Sequence, residues 1–409
     1  MNTVQNVIVI GGGLAAGKTA EALRQDGYEG AVTLIAAENH LPYERPSLSK
    51  DYLFGRTEFD DALVHSADWY QDHDITVRQG VTATAIDIAG HTVTLGDGST
   101  LPYDKLVLAT GSIARHLPLP GADADGIHYL RTVEESDAIR ATFGQGKRLV
   151  LIGGGWIGLE VAAAARASDT TVTILEGGKL PLLRVLGDEI AQVFADLHTA
   201  NGVDLRTDVQ IAEITTEHGR ATGVRLADGE GVPADAIVIG IGVSPEVEIA
   251  KAAGIAVDNG VLVDAALRTS DPDVFAVGDI ANHQHPILGQ RVRVEHWATA
   301  LNQPAAAVSA LLGNDTEYTE LPYFYSDQYD LGCEYIGYAS PGSYDRVVIR
   351  GSLAKREFVA FWLDAENRIL AAMNVNVWDV IDQIKPLIAS HASVDPERLM
   401  DPEIPYAQL

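Results

Sequence analysis

Two copies of a glycine-rich turn, each set between a short apolar run and an alanine-rich stretch, constrain this chain more than any other feature. The first reads Val7-Ile8-Val9-Ile10-Gly11-Gly12-Gly13-Leu14-Ala15-Ala16, and the second Leu149-Val150-Leu151-Ile152-Gly153-Gly154-Gly155-Trp156-Ile157-Gly158. Each starts with the continuous apolar run of a doubly buried parallel strand, passes through G-x-G-x-x-G/A and enters a helical stretch. The first glycine of such a turn permits a tight bend, and the second admits backbone N–H groups to a diphosphate. The third small residue, Ala16 or Gly158 here, lets helix and strand pack closely. The positive end of the helix then faces the diphosphate. A single turn of this kind is common in unrelated loops. Two, each in the strand–turn–helix context, predict two bound dinucleotides.

Each turn also has an acidic partner. Val32-Thr33-Leu34-Ile35 predicts a second strand with Glu38 beyond it, and Val172-Thr173-Ile174-Leu175 runs directly into Glu176. Glu38 lies 22 residues after Ala16 and Glu176 lies 18 after Gly158. Both offsets are close to the roughly 20 residues expected of a carboxylate that hydrogen-bonds a ribose hydroxyl. An ordinary solvated acid at a strand end is the competing reading, stronger for Glu38, which Ala36 and Ala37 separate from its strand. Gly177 and Gly178 stand where a binder of a 2′-phosphate would carry arginine, so the second nucleotide is expected to be NAD(H) rather than NADP(H).

At 409 residues the chain exceeds one ordinary core and suggests two or three domains. Hydrophobic residues at 46% with 39 glycines fit a compact α/β enzyme rather than a disordered or fibrous chain. No apolar run approaches the length of a membrane span, and Met1-Asn2-Thr3 leads into the first apolar run without a signal segment. The single cysteine, Cys333, excludes an internal disulfide and fits a reducing cytoplasm. A net charge of −28 argues against nucleic acid and anionic membranes as partners. An acidic protein partner would have to dock on a local basic patch.

The repetition is one fold used twice rather than a short repeat. Strand–helix–strand units end at Lys105-Leu106-Val107-Leu108-Ala109-Thr110-Gly111, and the turn-rich Leu117-Pro118-Leu119-Pro120-Gly121 leads to the second nucleotide unit. That unit runs to Ala236-Ile237-Val238-Ile239-Gly240-Ile241-Gly242, and Val274-Phe275-Ala276-Val277-Gly278-Asp279 reads as another buried strand ending in Gly-Asp. From about residue 314 the composition shifts. Aromatics cluster at Tyr323-Phe324-Tyr325, while Arg346-Val347-Val348-Ile349-Arg350 and Phe358-Val359-Ala360-Phe361-Trp362 read as antiparallel strands. The stretch from Val394-Asp395-Pro396 to Pro405-Tyr406 reads as a helix flanked by prolines. The expected organisation is a first dinucleotide domain over 1–108 and 236–313, a second over 109–235, and a C-terminal α/β domain over 314–409.

Over essentially its full length the chain resembles the FAD-dependent, NADH-using ferredoxin reductases that serve oxygenases and cytochromes P450. The matching blocks are Gly11 to Ala16, Tyr43-Glu44-Arg45-Pro46-Ser47-Leu48-Ser49-Lys50, Ala109-Thr110-Gly111, Gly153 to Glu160, Gly278-Asp279, Glu295-His296-Trp297 with Asn302-Gln303, and Ser326-Asp327-Gln328. The Arg-Pro-x-Leu-Ser-Lys block, the late tryptophan and Ser-Asp-Gln are particular to this branch; flavoproteins resembling apoptosis-inducing factor share most of the skeleton. The resemblance implies an α/β fold on the glutathione-reductase plan, with two Rossmann-type domains and a C-terminal α/β domain.

It places FAD at the first turn, on Gly11, Gly13, Leu14, Ala15, Ala16, Glu38, Arg45, Lys50, Thr110, Gly111, Asp279, Glu295, His296 and Trp297. It places NADH at the second, on Gly153, Gly155, Trp156, Ile157, Gly158, Glu160, Glu176 and Gly242, and it implies no metal. Lys50 resembles the family lysine beside flavin N5, where a cation stabilises the reduced ring. Glu160 resembles the carboxylate that contacts both this lysine and the nicotinamide carboxamide, so the two are expected to form a buried ion pair and to carry the catalysis. Read alone, a lysine such as Lys50 is more often a solvated loop residue, and Glu160 is equally a glutamate favoured near a helix start by the dipole. Asp279 reads either as a hydroxyl-binding acid or as a helix N-cap. Trp297 is either a flavin neighbour or a core aromatic, and His296 is expected to be structural, because hydride transfer needs no general base.

Disulfide reductases on this plan need a cysteine pair after the first unit, where this chain has Pro46, Ser47 and Ser49. A thiolate relay is thereby excluded, and Cys333 is expected to be a packing residue. Tyr323-Phe324-Tyr325 and Trp378 depart from the commoner pattern of the family. Arg291, Arg293, Lys355 and Arg356 are candidates for a docking patch, or are scattered solubilising charges. The implied activity is hydride transfer from NADH to FAD, then single electrons to a [2Fe-2S] ferredoxin, or to a rubredoxin, that supplies an oxygenase. The rival readings are an NADH oxidase and, in another class, a redox-responsive binding protein like apoptosis-inducing factor.

Overall fold

Each apolar run forms the central strand of a five-stranded parallel sheet. In the first sheet Asn6–Ile10 lies between Ala31–Ile35 and Lys105–Leu108, with Ile75–Arg78 and Val274–Ala276 at the edges. In the second, Arg148–Ile152 lies between Thr171–Leu175 and Ala236–Ile239, with Asp204–Arg206 and Ile127–His128 outside them. The two orders correspond strand for strand up to the strand that precedes each acidic residue, so the repetition inferred from the turns extends to topology. In both central strands all residues after the first are buried, as a parallel strand covered on both faces requires. The computed structural model describes residues 4–409; Met1-Asn2-Thr3, read above as the lead-in to the first strand, lie outside the described residues.

The chain divides into two units. The first comprises the residues up to Arg45 with Phe59–Ile113 and Ser244–Tyr323; the second comprises Pro46–Glu58, Ala114–Val243 and Phe324–Leu409. The return to the first unit falls at Ser244 rather than at residue 236, because Ala236–Ile239 hydrogen-bonds beside Arg148–Ile152 in the second sheet. Val7, Val9, Leu34, Val107 and Phe275 are among the core residues of the first unit. Val150, Ile152, Leu175, Ile237 and Ile239 belong to a core of the second.

The C-terminal segment builds a five-stranded sheet in the order Tyr323–Gln328, Leu331–Gly337, Ile369–Val375, Glu357–Leu363, Arg346–Ser352. The two runs expected to be antiparallel strands pair with each other, Val348 opposite Phe361. A helix that the sequence reading did not assign, Ile381–Ala389, packs against this sheet through Ile381, Ile384 and Ile388. The expected terminal helix is short, Pro396–Met400, capped by the Asp395 side chain on the Glu397 N–H. It stops at Asp401 because the residue before a proline, here Pro402, is sterically pushed out of the helical region.

Candidate functional site

In the first turn Gly11 has φ 150°, and a Cβ there would lie 2.2 Å from the Ala109 carbonyl oxygen, so glycine is required by the protein's own packing. Gly13 differs: nothing lies within 4 Å of where its Cβ would be. The helix that follows, Leu14–Gln25, has no side-chain cap and no acid in its first turn. In the second turn Gly153 and Gly158 are required by packing, since their added Cβ atoms would lie 2.4 Å from the carbonyl oxygens of Gly240 and Gly153. Gly155 is open, its nearest neighbour being 3.9 Å away, and the helix Trp156–Ala167 is likewise uncapped. Each turn therefore combines clear space with a helix N-terminus that no side chain caps, which fits a diphosphate. Gly242, at φ 94°, is open in the same sense, and Ile157 is 40% exposed at the start of its helix. Trp156 packs edge-on against Phe194 and Phe324, so much of its surface serves the core.

Both acids stand at their strand ends with specific partners. Glu38 accepts from Arg45 Nη2 at 2.6 Å and from the Tyr43 hydroxyl at 2.5 Å, which unites two of the residues assigned to FAD. Glu176 accepts from the Gly154 N–H at 2.6 Å and from the Gly178 N–H at 2.7 Å, which binds it to the turn itself. Neither is the free solvated acid of the competing reading.

Asp279 lies in a short turn, Gly278–Ile280, followed by the strand Ala281–His285; no helix follows, so the N-cap alternative falls away. Gly278 takes φ 78°, and its N–H donates to the buried Gln303 at 2.8 Å. Trp297 opens the helix Trp297–Leu311 partly exposed, with its indole N–H donating to Glu44 at 2.8 Å, and is not a core aromatic. His296 keeps some solvent-facing surface, but its deep surroundings push its imidazolium down to about 4, so it is neutral near pH 7 and no proton donor. Glu295 pairs with Arg293 at 2.7 Å, and Thr110 donates to the Glu246 carbonyl at 2.7 Å.

In the second unit Lys50 and Glu160 form an ion pair, with side chains only 14% and 6% exposed. Lys50 reaches it because the Pro46–Glu58 segment is tied to the helix Val133–Arg140: the Ser136 hydroxyl donates to the Leu48 carbonyl at 2.8 Å and the Tyr52 hydroxyl to Asp137 at 2.8 Å. Glu160 also accepts from the Ser49 hydroxyl at 2.5 Å and the Ser326 hydroxyl at 2.6 Å. Glu160 lies beyond the first turn of its helix, which holds no acid, so the dipole alternative does not account for it. The Lys50 ammonium lies 5.4 Å from the centre of the Tyr325 ring, and Lys50 and Asp327 both border a cavity of about 390 Å³. Burial raises the Asp327 carboxyl above its ordinary range, and the Lys50 charge opposes the shift. Lys50 thus lies in the unit that carries the second turn, whereas the other residues assigned to FAD lie in the first.

Ser326, Glu44 and Gln303 stood out in the sequence only as parts of longer blocks, and Ser49 only as a residue in place of a cysteine; their contacts place all four in the site or in its support. The docking candidates fare differently. The Arg291 guanidinium donates to the Val263 and Asn282 carbonyls, and Arg293, with its side chain 8% exposed, pairs with Glu295. Arg356 pairs with Asp330, whereas Lys355 is exposed. Cys333 is 1% exposed, its thiol donates to the Ser326 carbonyl, and burial pushes its ionisation far up, which makes it a packing residue.

Two parallel sheets, each presenting an uncapped glycine turn beside an acid-tipped strand, define the class: an oxidoreductase that holds two dinucleotides. Residues 5–304 match the family described as pyridine nucleotide-disulphide oxidoreductase, and residues 323–409 match the reductase C-terminal family. The chain belongs to the pyridine nucleotide-disulphide oxidoreductase family, whose cofactors in the ferredoxin–NAD(+) reductases are FAD and NAD(H).

It is 42% identical over 397 residues to the ferredoxin–NAD(+) reductase component of the anthranilate 1,2-dioxygenase system of Burkholderia cepacia, covering 97% of each chain. It is 37% identical to putidaredoxin reductase of Pseudomonas putida, covering 100% of this chain and 97% of that one. The covalent putidaredoxin reductase–putidaredoxin complex superposes with a TM-score of 0.94 at 37% identity, over 98% of this chain and 97% of the other. No helix among the described residues is long and apolar enough to cross a membrane.

Proposed function

We propose that this protein is the NADH-dependent, FAD-containing reductase of an oxygenase system, passing electrons to a [2Fe-2S] ferredoxin that serves a cytochrome P450 or a Rieske-type oxygenase in the cytoplasm. The observation that carries the reading is the buried Lys50–Glu160 pair, in the unit that holds the second turn and in a chain with no redox cysteine pair. FAD, when bound, supplies the conversion of a two-electron hydride donor into single electrons for an iron–sulfur acceptor. In this reading the first turn, with Gly13 open, holds the FAD diphosphate, while Glu38, Arg45 and Asp279 bind its hydroxyl and phosphate groups. Trp297, fixed through Glu44, lines the flavin site. The second turn holds the NADH diphosphate and Glu176 the adenosine ribose, where the double negative charge of a 2′-phosphate would be repelled.

Lys50 supplies a fixed positive charge beside the ring that becomes electron-rich, and costs no reorganisation at the moment of transfer. Glu160 keeps that lysine in place and accepts from the nicotinamide carboxamide. The buried carboxylate is tolerable because three donors surround it. Anaerobic titration with NADH in the visible spectrum, followed by stopped-flow mixing with a [2Fe-2S] ferredoxin, tests the reading. Stoichiometric bleaching by NADH and fast reoxidation by the ferredoxin are expected. Rapid NADH consumption with oxygen and none with ferredoxins would replace it by an oxidase. Slow turnover with every ferredoxin, together with an NADH-induced change in molecular size, would replace it by a redox-responsive binding protein.

A further inference from the structure

Behind the Lys50–Glu160 pair, Ser326 leads into buried polar side chains that the chemistry above does not use. Ser326, Gln328 and His198 are each no more than 1% exposed, on the strand Tyr323–Gln328 and the helix Leu183–Ala200. Gln328 Nε2 donates to Ser326 Oγ at 3.1 Å, which turns its Oε1 toward His198 Nε2 at 2.9 Å. The Tyr329 hydroxyl lies 3.4 Å from His198 Nδ1.

With the Gln328 amide oriented by its donation to Ser326, the directions of the other bonds in this run follow. Burial pushes the His198 imidazolium down to about 4, so the ring carries one proton near neutral pH. An amide oxygen can only accept, so that proton sits on Nε2 and points at Gln328, and Nδ1 is left to accept from Tyr329. Ser326, having accepted from Gln328, sends its own hydrogen to Glu160 Oε1. Tyr329, His198, Gln328 and Ser326 thus all donate in sequence toward one carboxylate. Bonds aligned in this way polarise one another, and each fixes the rotor before it.

We propose that Gln328 and His198 are positioning residues for Glu160: through the Ser326 hydroxyl they hold its carboxylate in the one orientation that receives the nicotinamide carboxamide. This rests on the role given to Glu160 above. With Gln328 gone, the Ser326 hydroxyl is free to rotate away, and Glu160 keeps only Lys50 and Ser49, both of which approach from the Pro46–Glu58 segment. A purely structural network would lower stability when broken and leave nucleotide affinity alone.

The test uses the FAD-loaded protein and NAD+ as the probe, with the dissociation constant from calorimetric titration and the thermal midpoint recorded for each variant. Glu160→Gln sets the scale for loss of the carboxylate. Gln328→Met keeps nearly the same volume and removes both hydrogen bonds; it is expected to weaken NAD+ binding about fivefold, as does His198→Leu. His198→Gln retains an N–H donor for Gln328 and is expected to return affinity to within about twofold of the parent. A protected Nε2–H resonance of His198 is expected in nitrogen-15 spectra of the parent and is lost in Gln328→Met.

If Gln328→Met abolishes that resonance and leaves NAD+ affinity at the parent value, while Glu160→Gln weakens it, the relay has no positioning role. If Glu160→Gln itself leaves affinity unchanged, the contact between Glu160 and nicotinamide is what fails, and the relay fails with it. Should His198→Leu not fold, Gln328→Met and His198→Gln decide the matter.

Discussion

Replacing Gly155 by alanine separates what the second turn does for the fold from what it does for a ligand. Gly155 lies at φ −80°, ψ 177°, a conformation open to any L-residue, and an added Cβ would meet nothing closer than the Gly240 oxygen at 3.9 Å. Alanine restricts the unfolded chain, so the substitution is expected to stabilise the protein by about 0.4–1 kcal/mol. The same methyl occupies the space through which backbone N–H groups would approach a diphosphate. Losing one charge-assisted bond there costs about 1.5–3 kcal/mol, or roughly ten- to a hundredfold in KM for NADH. Gly158→Ala is the converse, because its Cβ would lie 2.4 Å from the Gly153 oxygen and must push helix from strand. It is expected to cost about 1–3 kcal/mol of stability. Thermal midpoints, FAD content by absorbance and NADH kinetics with ferricyanide as acceptor make the comparison. An unchanged KM in Gly155→Ala, or a loss of stability equal to that of Gly158→Ala, would refute the assignment of this turn to the nucleotide.

Other expectations follow from single features. NADPH should be used at least about a hundredfold less efficiently than NADH, because Glu176 meets the 2′-phosphate where a cation is needed; comparable kcat/KM for the two would contradict the role of Glu176. Cys333→Ser is expected to retain NADH-dependent electron transfer, since a serine hydroxyl can also donate to the Ser326 carbonyl; loss of transfer with FAD still bound would overturn this. Burial holds His198 and His283 each at about 4, so below the ordinary value near 6.5 the unfolded chain binds protons that the folded chain excludes. Stability is thus complete above about pH 6.5 and falls toward pH 4 by about 1.4 kcal/mol per pH unit for each histidine. Urea unfolding near pH 7 and near pH 5 should show a difference about 2 kcal/mol smaller in His283→Leu, and an equal difference would rule His283 out.

The parts of the molecule that were legible in the sequence are those whose signal is local. Both turns, their strands and Glu176 are contiguous in the chain, and each residue type follows from a backbone requirement that the structure shows at Gly11, Gly153 and Gly158. Lys50 and Glu160 are 110 positions apart, and no periodicity joins them; only the resemblance of their separate blocks suggested that they meet. His198 and Gln328, 130 apart, were linked by nothing readable in one dimension. The helix Ile381–Ala389 does carry a signal, apolar at Ile381, Ile384 and Ile388, obscured by Pro386 inside it. Arg291 and Arg293 show the opposite failure: their charge was legible, but the carbonyls and the carboxylate that engage them were not.

The Lys50–Glu160 pair is a poor device for stability, which is the reason to look to chemistry for its presence. Removing two charges from water costs several kcal/mol per ion, and such a pair is often replaced by neutral groups of similar shape with no loss. Lys50→Met alone leaves the Glu160 carboxylate, 6% exposed, with two serine hydroxyls and no cation, and is expected to destabilise by up to about 3 kcal/mol. Adding Glu160→Gln removes the stranded charge; its amide oxygen can still accept from one of the two serines while its NH2 donates to the hydroxyl oxygen of the other, so the double variant should regain most of that loss. Flavin reduction by NADH should fall at least about tenfold in Lys50→Met and stay low in the double variant, because neither fold stability nor FAD retention is what the pair supplies. Denaturant unfolding and anaerobic stopped-flow on the same preparations read the two effects apart. A double variant that recovers its rate along with its stability would mean that the pair only holds the fold. One less stable than Lys50→Met alone would mean that the ion pair is itself stabilising, and the argument from its cost would fail.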